Sequence, residues 1–410
     1  MCGNNICEGN ESRTCPDDCS PEPPTEPPAG FESCGCSSGL TSREARAGRT
    51  YVRELVVGSN PPTRYEVRLP SDYSPDRPGG YPLLVYLHGW GGNYRSLPSS
   101  FARHAKDNGY LVVTPTGYGD GGRNSWNGFR SARLPSCSVS DGYTETDCDA
   151  NAPGGPSTCV DRDNSGLDYC YTSCQDQHGN CPKWDGIVGP DNTWGSEFSG
   201  DYTCYWTTCL DSVAQIEALL GEVESLYCVD RSMISVTGCS NGGMFVFELA
   251  KDPRTSERIA TYLPQVGSPH PGFIQENPTL LSPPLFFMGF WGVGDNTVPG
   301  TANFPELFGP DVALDTNFNG WLYMTARSIT EQWATMTGAA GPMSYDASAY
   351  SSSLNCHAWE SGSGEEAEII ECFFQGGHSC PGFGNMPQMM WNFAERHPRT
   401  VVPPSADCSP

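Results

Sequence analysis

Positive charge is scarce in this chain of 410 residues. It contains only three lysines, Lys106, Lys183 and Lys251, and its formal net charge is −25. A surface this acidic repels the phosphate backbone of nucleic acids and anionic membranes, so we expect neither as a partner. It also disfavours polyanionic substrates and leaves neutral polymers and small neutral molecules open.

Long apolar runs are missing as well. No stretch reaches the roughly 18 residues that a membrane-spanning helix needs, and no signal peptide is recognisable after Met1. The hydrophobic content of 37% is modest, while 47 Gly and 36 Pro indicate many loops around an ordinary core. The length suits one large domain with a small appendage.

Cysteine, in contrast, is abundant. The 20 cysteines fall into three groups, with six between Cys2 and Cys36, ten between Cys137 and Cys239, and four between Cys356 and Cys408. Such usage indicates disulfides made in an oxidising compartment, so we expect a secreted, extracellular protein. Zinc is the alternative for close pairs such as Cys34 and Cys36, but no histidine pair stands nearby at zinc-finger spacing.

The composition divides the chain into three parts. Residues 1–20 hold four cysteines in a turn-rich unit that is too short for a hydrophobic core, so disulfides or a bound cation must hold it together. Residues 21–33 begin with "PEPPTEPPAG" and are expected to form an extended proline-rich linker. Residues 34–410 form the main domain, which a long Cys-rich insertion interrupts at about 121–205.

Outside the insertion, strand-like and helix-like segments alternate. "YPLLVYLHG" (81–89) and "YLVVTPTG" (110–117) are apolar runs typical of buried parallel strands. "DSVAQIEALLGEVESL" (211–226) places apolar side chains at helical spacing. The alternation predicts an α/β fold with a mostly parallel central sheet and helices on both faces.

The stretch "SVTGCSNGGMFVF" (235–247) contains the pattern Gly-x-Ser-x-Gly between a short β-branched strand and helix-compatible residues. In this context the pattern is typical of a nucleophilic serine on a sharp strand-to-helix turn, which makes Ser240 the candidate. An ordinary glycine loop is the alternative. The rest of the chain must therefore supply a base, an acid and an oxyanion site.

The base and the acid are expected on loops that follow later strands, in the order Ser, Asp, His. His378 lies just past an apolar strand and two glycines, in "ECFFQGGHSC". Asp295 directly follows the apolar run "LFFMGFWG". We predict that Asp295 holds the imidazole of His378, which acts as the base. The aspartates set aside are Asp252, Asp311, Asp315 and Asp346.

Backbone N–H groups that stabilise a transition-state oxyanion are expected at two places. One is Trp90, at the turn after "LLVYL", and the other is Asn241, at the start of the helix after the candidate serine. His88 precedes the nucleophile, so we expect it to brace the first loop. Cys239 is expected to form a disulfide that braces the turn; the partners considered are Cys209 and Cys228.

The sequence also offers one possible site for a structural calcium ion. In "DRDNSGLDYC", Asp161 and Asp163 have the spacing of the first half of a calcium-binding loop. The twelfth position is Thr172 in place of glutamate, which excludes an EF-hand. An irregular calcium site and an acidic turn between disulfides both remain open.

Five motifs in order carry a family resemblance: "LLVYLHGWGGN", "NSWNGF", "YCVDRSMISVTGCSNGGMF", "GVGDNTVP" and "GGHSCPG". Together they resemble the polyhydroxybutyrate depolymerase and feruloyl esterase branch of the α/β-hydrolases, over about residues 52–397. The resemblance implies that fold, the triad Ser240, Asp295 and His378, and the two oxyanion donors named above. It also implies a substrate contact at Trp126, because relatives carry a Trp-Asn pair beside the pocket.

The expected function follows from this resemblance. It is a secreted serine carboxylic-ester hydrolase that acts on feruloyl or acetyl esters of plant polysaccharides, without an organic cofactor and as a monomer. A polyester depolymerase is the closest alternative. A catalytically silent hydrolase-fold adhesion protein is the alternative from another class. The insertion is longer than in relatives, so it leaves the shape of the pocket open.

Overall fold

The structure is a computed structural model that describes residues 31–37, 45–119, 123–127, 132–133, 207–208, 210–269, 285–300, 314–316, 321–361 and 367–403. The N-terminal unit 1–20 and most of the insertion lie outside the described residues. So do Asp161 and Asp163, and the calcium site proposed there therefore stays a prediction.

Most of the described strands belong to one sheet. In chain order the strands are β1 (Thr50–Leu55), β2 (Thr63–Arg68), β3 (Tyr81–Leu87), β4 (Leu111–Pro115), β5 (Ala132–Arg133), β6 (Val229–Cys239), β7 (Thr261–Gln265), β8 (Leu285–Gly292), β9 (Leu314–Thr316), β10 (Trp321–Met324), β11 (Ala340–Tyr345), β12 (Asn355–Glu360) and β13 (Ala367–Phe374). The main sheet has ten strands in the order β1-β2-β4-β3-β6-β7-β8-β13-β12-β11, and β5, β10 and β9 form a small second sheet.

The centre of the main sheet is parallel. Strands β4, β3, β6, β7, β8 and β13 each run parallel to their neighbours within this block. Antiparallel strands flank it, with β2 and β1 on one side and β12 and β11 on the other. This order, with the strand-turn-helix of Ser240 following β6, is that of the α/β-hydrolase fold, which confirms the predicted fold class.

Helices cover both faces of the sheet. They are α1 (Ser99–Asn108), α2 (Ser212–Leu226), α3 (Asn241–Lys251), α4 (Pro253–Ser256), α5 (Ala326–Thr337) and α6 (Met386–Glu395). Apolar side chains of α2, α3 and α5 pack into one core cluster, and those of α1 and α6 into a second one. Within the described ranges, no helix has the length and apolar character needed to cross a membrane.

The main domain begins slightly before the expected boundary. The carbonyl oxygen of Phe31 accepts a hydrogen bond from the N–H of Arg231 at 3.0 Å, and the hydroxyl of Ser33 donates to the carbonyl of Tyr227 at 2.7 Å. Cys36 forms a disulfide with Cys228. Residues 31–33, which the sequence assigned to the linker, are therefore attached to the segment at the start of β6.

Two of the described disulfides join cysteines that are far apart in the chain, and a third joins two neighbouring strands. Among the described residues, Cys239 pairs with Cys380 and Cys356 pairs with Cys372, in addition to the bond of Cys228. The prediction that Cys239 pairs with Cys209 or Cys228 is therefore wrong. Its partner lies on the loop after β13, which the order of the sheet brings to the end of β6.

Candidate active site

Four of the predicted site segments meet at one edge of the sheet. Parallel strands present their carboxyl ends on the same side, where α/β proteins bind their ligands. Strand β3 leads into His88, β6 into Ser240, β8 into Asp295 and β13 into His378. The sheet therefore collects side chains that are up to 290 residues apart in the sequence, as the numbering of His88 and His378 shows.

Ser240 occupies a strained turn between β6 and α3. Its φ is 55° and its ψ is −121°, and among the described residues Val266 is the only other non-glycine with a positive φ. Such backbone conformations cost about 1–3 kcal/mol and persist where the surroundings enforce them. A Cβ atom at Gly238 would overlap the carbonyl of Gly242, so the first glycine of the motif lets the chain turn this sharply.

The surroundings hold this turn at both sides. The N–H of Ser240 donates to the carbonyl of Gln265, the last residue of β7, at 3.0 Å. The carbonyl of Ser240 accepts the N–H of Met244 at 2.9 Å and so begins helix α3. The serine side chain therefore stands at the end of the strand and at the N-terminus of a helix.

Asp295 and His378 form a hydrogen-bonded pair. The Nδ1 atom of the imidazole lies 2.7 Å from Oδ2 of the carboxylate. The other oxygen, Oδ1, accepts the backbone N–H groups of Thr297 and Val298 at 2.9 and 3.0 Å. These bonds fix a carboxylate that is 1% exposed, and they leave Oδ2 aimed at the ring. With Nδ1 donating to Asp295, the Nε2 atom of His378 carries the lone pair that a base requires.

The loops that carry this pair are fastened to each other. The N–H of Gly294 donates to the carbonyl of Gly376 at 2.8 Å, and the N–H of Val293 donates to that of Phe374 at 3.1 Å. A Cβ atom at Gly292 would collide with the backbone of Gly376 and Gly377. This close approach of the two loops keeps the acid and the base in register.

A disulfide connects the serine turn to the histidine loop. Cys239 immediately precedes Ser240 and Cys380 follows His378 by two residues, and their Cα atoms are 5.9 Å apart. The bond therefore restricts the position of Ser240 relative to His378. Sequence reasoning missed this link, although the assignment of Ser240 and His378 to one site could have pointed to it.

We predict that this disulfide positions the reacting groups. The Cys239→Ala/Cys380→Ala double variant should lose about tenfold to hundredfold in kcat, because a displacement near 1 Å can cost that much. The matched control is Cys356→Ala/Cys372→Ala, which removes a cross-strand bond between β12 and β13. Both variants should be less stable, by about 2–4 kcal/mol.

The comparison of kcat at a temperature where both variants remain folded separates the two effects. Equal kcat values for the two double variants and the wild type would show that the bond between Cys239 and Cys380 only stabilises the fold.

The loop after β3 runs beside the serine. A Cβ atom built on Gly89 would lie 3.4 Å from the Cβ of Ser240, so the residue that precedes Trp90 lies beside the serine side chain. Asn241 is the first residue of α3, and the first N–H groups of a helix have no acceptor within the helix. The backbone N–H groups of Trp90 and Asn241 therefore stay the predicted oxyanion donors.

Trp126 fixes the two segments that carry these donors. Its backbone N–H donates to Oδ1 of Asn241 at 2.8 Å, and its carbonyl accepts Nδ2 of the same side chain at 3.1 Å. Its indole Nε1 donates to the carbonyl of His88 at 2.8 Å. One buried tryptophan therefore ties the residue after Ser240 to the residue that begins the β3 loop.

This role differs from the one predicted for Trp126. Its ring is fully buried and stacks on Phe245, with ring centres 5.5 Å apart, so no face is free to stack on a substrate. The expected substrate contact at Trp126 is therefore corrected to a positioning role. A Trp-Asn motif does not reveal by itself which face of the ring the fold covers.

His88 braces the β3 loop, as predicted. Its Nε2 accepts the N–H of Gly117 at 2.9 Å, and its Nδ1 lies 2.7 Å from the carbonyl of Gly89, so Nδ1 carries the proton. Burial lowers the pKa of His88 to about 4, because the imidazolium would lose its hydration. The side chain is therefore neutral at physiological pH.

We expect this histidine to make the protein sensitive to acid. Between its ordinary pKa of 6.5 and about 4, the unfolded chain binds a proton at His88 that the folded protein does not bind. The free energy of unfolding should therefore fall as the pH decreases through this window, by about 3 kcal/mol in total.

The measurement is denaturant unfolding between pH 4.5 and pH 7 for the wild type and His88→Gln, whose amide does not titrate. A smaller slope of the free energy against pH is expected for the variant. Equal slopes would show that His88 does not supply this dependence.

Within the described ranges, no three His, Cys, Asp or Glu side chains are grouped so that they could hold a metal ion.

Several solved structures resemble this chain in fold, although no protein-family model and no curated protein matches it. An acetyl xylan esterase from Aspergillus awamori has 14% identity and a TM-score of 0.44, over 84% of this chain and 99% of the other. An S-formylglutathione hydrolase from Agrobacterium tumefaciens has 13% identity and a TM-score of 0.38, over 86% and 96%. A ferulic acid esterase has 12% identity and a TM-score of 0.39, over 85% and 97%. We base the proposed function on the geometry of the site.

Proposed function

We propose that the protein is a secreted serine carboxylic-ester hydrolase. One observation carries the proposal: a serine held at a strained turn, at the same edge of the sheet as a half-buried imidazole that is hydrogen-bonded to a buried carboxylate. A strained backbone and a buried carboxylate both cost folding free energy, which a structural role alone does not explain. Nucleophilic catalysis on an acyl group uses both features.

In the first half of the reaction, Oγ of Ser240 attacks the ester carbonyl carbon. Nε2 of His378 takes the hydroxyl proton, and Asp295 stabilises the imidazolium that forms. The carbonyl oxygen becomes an oxyanion and accepts the backbone N–H groups of Trp90 and Asn241. The tetrahedral intermediate then breaks its bond to the alcohol, which leaves with the proton from His378.

In the second half, water replaces the alcohol. His378 removes a proton from the water as its oxygen attacks the acyl-enzyme, and the same two N–H groups bind the second oxyanion. The intermediate collapses, Ser240 regains its proton and the carboxylic acid is released. No step requires an organic cofactor.

For the substrate, we infer a feruloyl or acetyl ester of a plant polysaccharide. The resemblance carried by the five sequence motifs supports this class. The formal net charge of −25 supports it as well, because the charge disfavours adsorption to anionic lipid interfaces. The many cysteines support secretion, which gives access to a polymeric substrate outside the cell.

A substrate panel tests the proposal. We expect hydrolysis of p-nitrophenyl acetate and faster turnover of methyl ferulate or acetylated xylan than of p-nitrophenyl palmitate or amorphous polyhydroxybutyrate. Each rate is measured against Ser240→Ala under the same conditions, so that hydrolysis by contaminants or by the surface is subtracted.

Each outcome of the panel has one interpretation. Faster cleavage of palmitate or of the polyester would reject the plant-ester assignment and keep the esterase. Absence of hydrolysis of every ester would reject the enzyme and favour the silent adhesion protein.

A further inference from the structure

A cavity lies at the same edge of the sheet as Ser240, beside the loop that follows β3. Its volume is about 620 Å³, and it is formed by the start of β2 and by the loops that follow β3 and β4. Neighbouring strands are about 4.8 Å apart, so the end of β4, two strands from β6, lies about 10 Å from Ser240. A ligand of a few sugar rings can span this distance.

One loop separates this cavity from the serine. The backbone at Gly89 approaches Ser240, while Asn93, Tyr94 and Arg95 of the same loop line the cavity. Asn124, which also lines it, accepts the N–H of Gly91 at 2.8 Å and donates from its side chain to the carbonyl of Gly92 at 2.9 Å. The wall of the cavity is thus continuous with the loop that carries a proposed oxyanion donor.

Half of the residues that line the cavity are uncharged and polar. It presents the amides of Asn93 and Asn124 and the threonines Thr63 and Thr116. The hydroxyl of Thr116 accepts the N–H of Tyr94 at 2.9 Å, which holds that side of the wall in place. Amides and hydroxyls of this kind exchange hydrogen bonds with the hydroxyl groups of carbohydrates.

Two arginines add positive charge to this lining. Arg64 and Arg95 are exposed, and neither forms an ion pair with a carboxylate among the described residues. The guanidinium of Arg95 lies 5.1 Å from the ring centre of Tyr94. The carboxylate of Asp211 is near Tyr118 of the lining, but it is paired with Arg254 at 2.7 Å. No described carboxylate therefore neutralises these two cations, in a chain with 48 acidic and 23 basic residues.

We propose that this cavity binds the carbohydrate part of the substrate, and that Arg64 and Arg95 select a sugar that carries a carboxylate. The proposal rests on the proposed function, since it assigns the carrier of the ester cleaved at Ser240. Guanidinium groups bind carboxylates through charge-assisted hydrogen bonds in a planar geometry that suits them. An isolated carboxylate on a neutral polymer avoids the repulsion that a polyanion meets, because salt screens distant charges beyond about 8 Å.

Binding of an unesterified oligosaccharide tests this independently of hydrolysis. The probes are a xylotetraose that carries one glucuronic acid and the same molecule with its carboxylate reduced to an alcohol, each titrated calorimetrically. We expect the wild type to bind the acidic probe about tenfold more tightly than the reduced one. The Arg64→Gln/Arg95→Gln variant should bind the acidic probe about tenfold more weakly than the wild type does, and should bind the reduced probe equally well.

Arg49→Gln is the matched control. Arg49 is also exposed, but it precedes β1, and β1 pairs there with the end of β2 that lies opposite the cavity. This variant should bind both probes like the wild type.

Equal affinity of the wild type for the two probes, or no binding, would overturn the proposal. So would unchanged binding of the acidic probe by the double variant, or an equal loss in Arg49→Gln. Failure of the proposed function has a different signature, which is the absence of hydrolysis of p-nitrophenyl acetate by the wild type.

Discussion

Ser240→Ala should lower kcat for p-nitrophenyl acetate by about 10³-fold or more, with the fold intact. The reason is that no acyl-enzyme can form without Oγ. The variant keeps a Cβ atom, so the residue at φ 55° carries the same backbone strain as the wild type. Steady-state hydrolysis and a thermal unfolding curve measure the two parts of this prediction.

Ser235→Ala is the control for this substitution. Ser235 lies on the same strand, β6, and its hydroxyl accepts a hydrogen bond from Thr261 at 2.7 Å. Its loss should reduce stability by about 1 kcal/mol and leave kcat near the wild-type value. A Ser240→Ala enzyme that turns over esters at a near-wild-type rate would refute the nucleophile assignment.

Asp295→Asn should reduce kcat by about 10⁴-fold. The N–H groups of Thr297 and Val298 require an acceptor, so the amide oxygen is expected to take the place of Oδ1. The amide NH₂ then faces Nδ1 of His378 and donates to it. The imidazole is forced into the tautomer with a proton on Nε2, which cannot accept the proton of Ser240.

Asp346→Asn serves as the control, because Asp346 is an exposed turn residue whose Oδ1 accepts the N–H of Ser348 at 2.9 Å. Hydrolysis of p-nitrophenyl acetate by this variant should match the wild type. Asp311 lies outside the described residues and was an alternative acid. A large loss in Asp311→Asn together with a small one in Asp295→Asn would move the acid to that position.

Elements with a local signal could be predicted from the sequence. Strand β3 is a nearly continuous apolar run, and all but one of its side chains are buried. Helix α1 ends just before Gly109, whose φ of 68° is typical of a glycine that ends a helix. Helix α2 begins after Asp211, whose side chain accepts the N–H of Ala214. In each case the residues that indicate the element lie within one strand or about four helical turns. The element can therefore be predicted without knowledge of distant contacts.

The antiparallel extension of the sheet was not predicted. Strand β11 contains Gly341 and Pro342, and its side chains are exposed except for Tyr345, which is half-buried. This segment forms a strand because its backbone pairs with the edge of β12. The backbone pairing outweighs the low strand propensity of Gly and Pro.

The residues of the candidate site could be predicted from the sequence, but the contacts that hold them in place could not. Ser240, Asp295 and His378 each follow an apolar strand and carry a motif, so position and chemistry agree. The disulfide of Cys239 has no such signal, since its partner is 141 residues away and connectivity depends on which strand ends meet.

The supporting contacts explain why the turn at Ser240 can remain strained. Three contacts hold it: the backbone hydrogen bond to β7, the hydrogen bonds between Asn241 and Trp126, and the Cys239–Cys380 disulfide. We expect that the removal of any one of them lets Ser240 relax out of its strained conformation. We therefore regard the turn and these contacts as one unit. We expect that their loss lowers kcat under conditions in which the protein is still folded.

Covalent labelling with diethyl p-nitrophenyl phosphate tests the central claim, that Ser240 is an activated nucleophile, most directly. The intact mass of the folded protein should increase by a single diethylphosphoryl group, and peptide mapping should place that group on Ser240. The Ser240→Ala and Asp295→Asn variants should label at least a hundredfold more slowly. A label on another residue, or no label on a preparation that still hydrolyses p-nitrophenyl acetate, would contradict the claim.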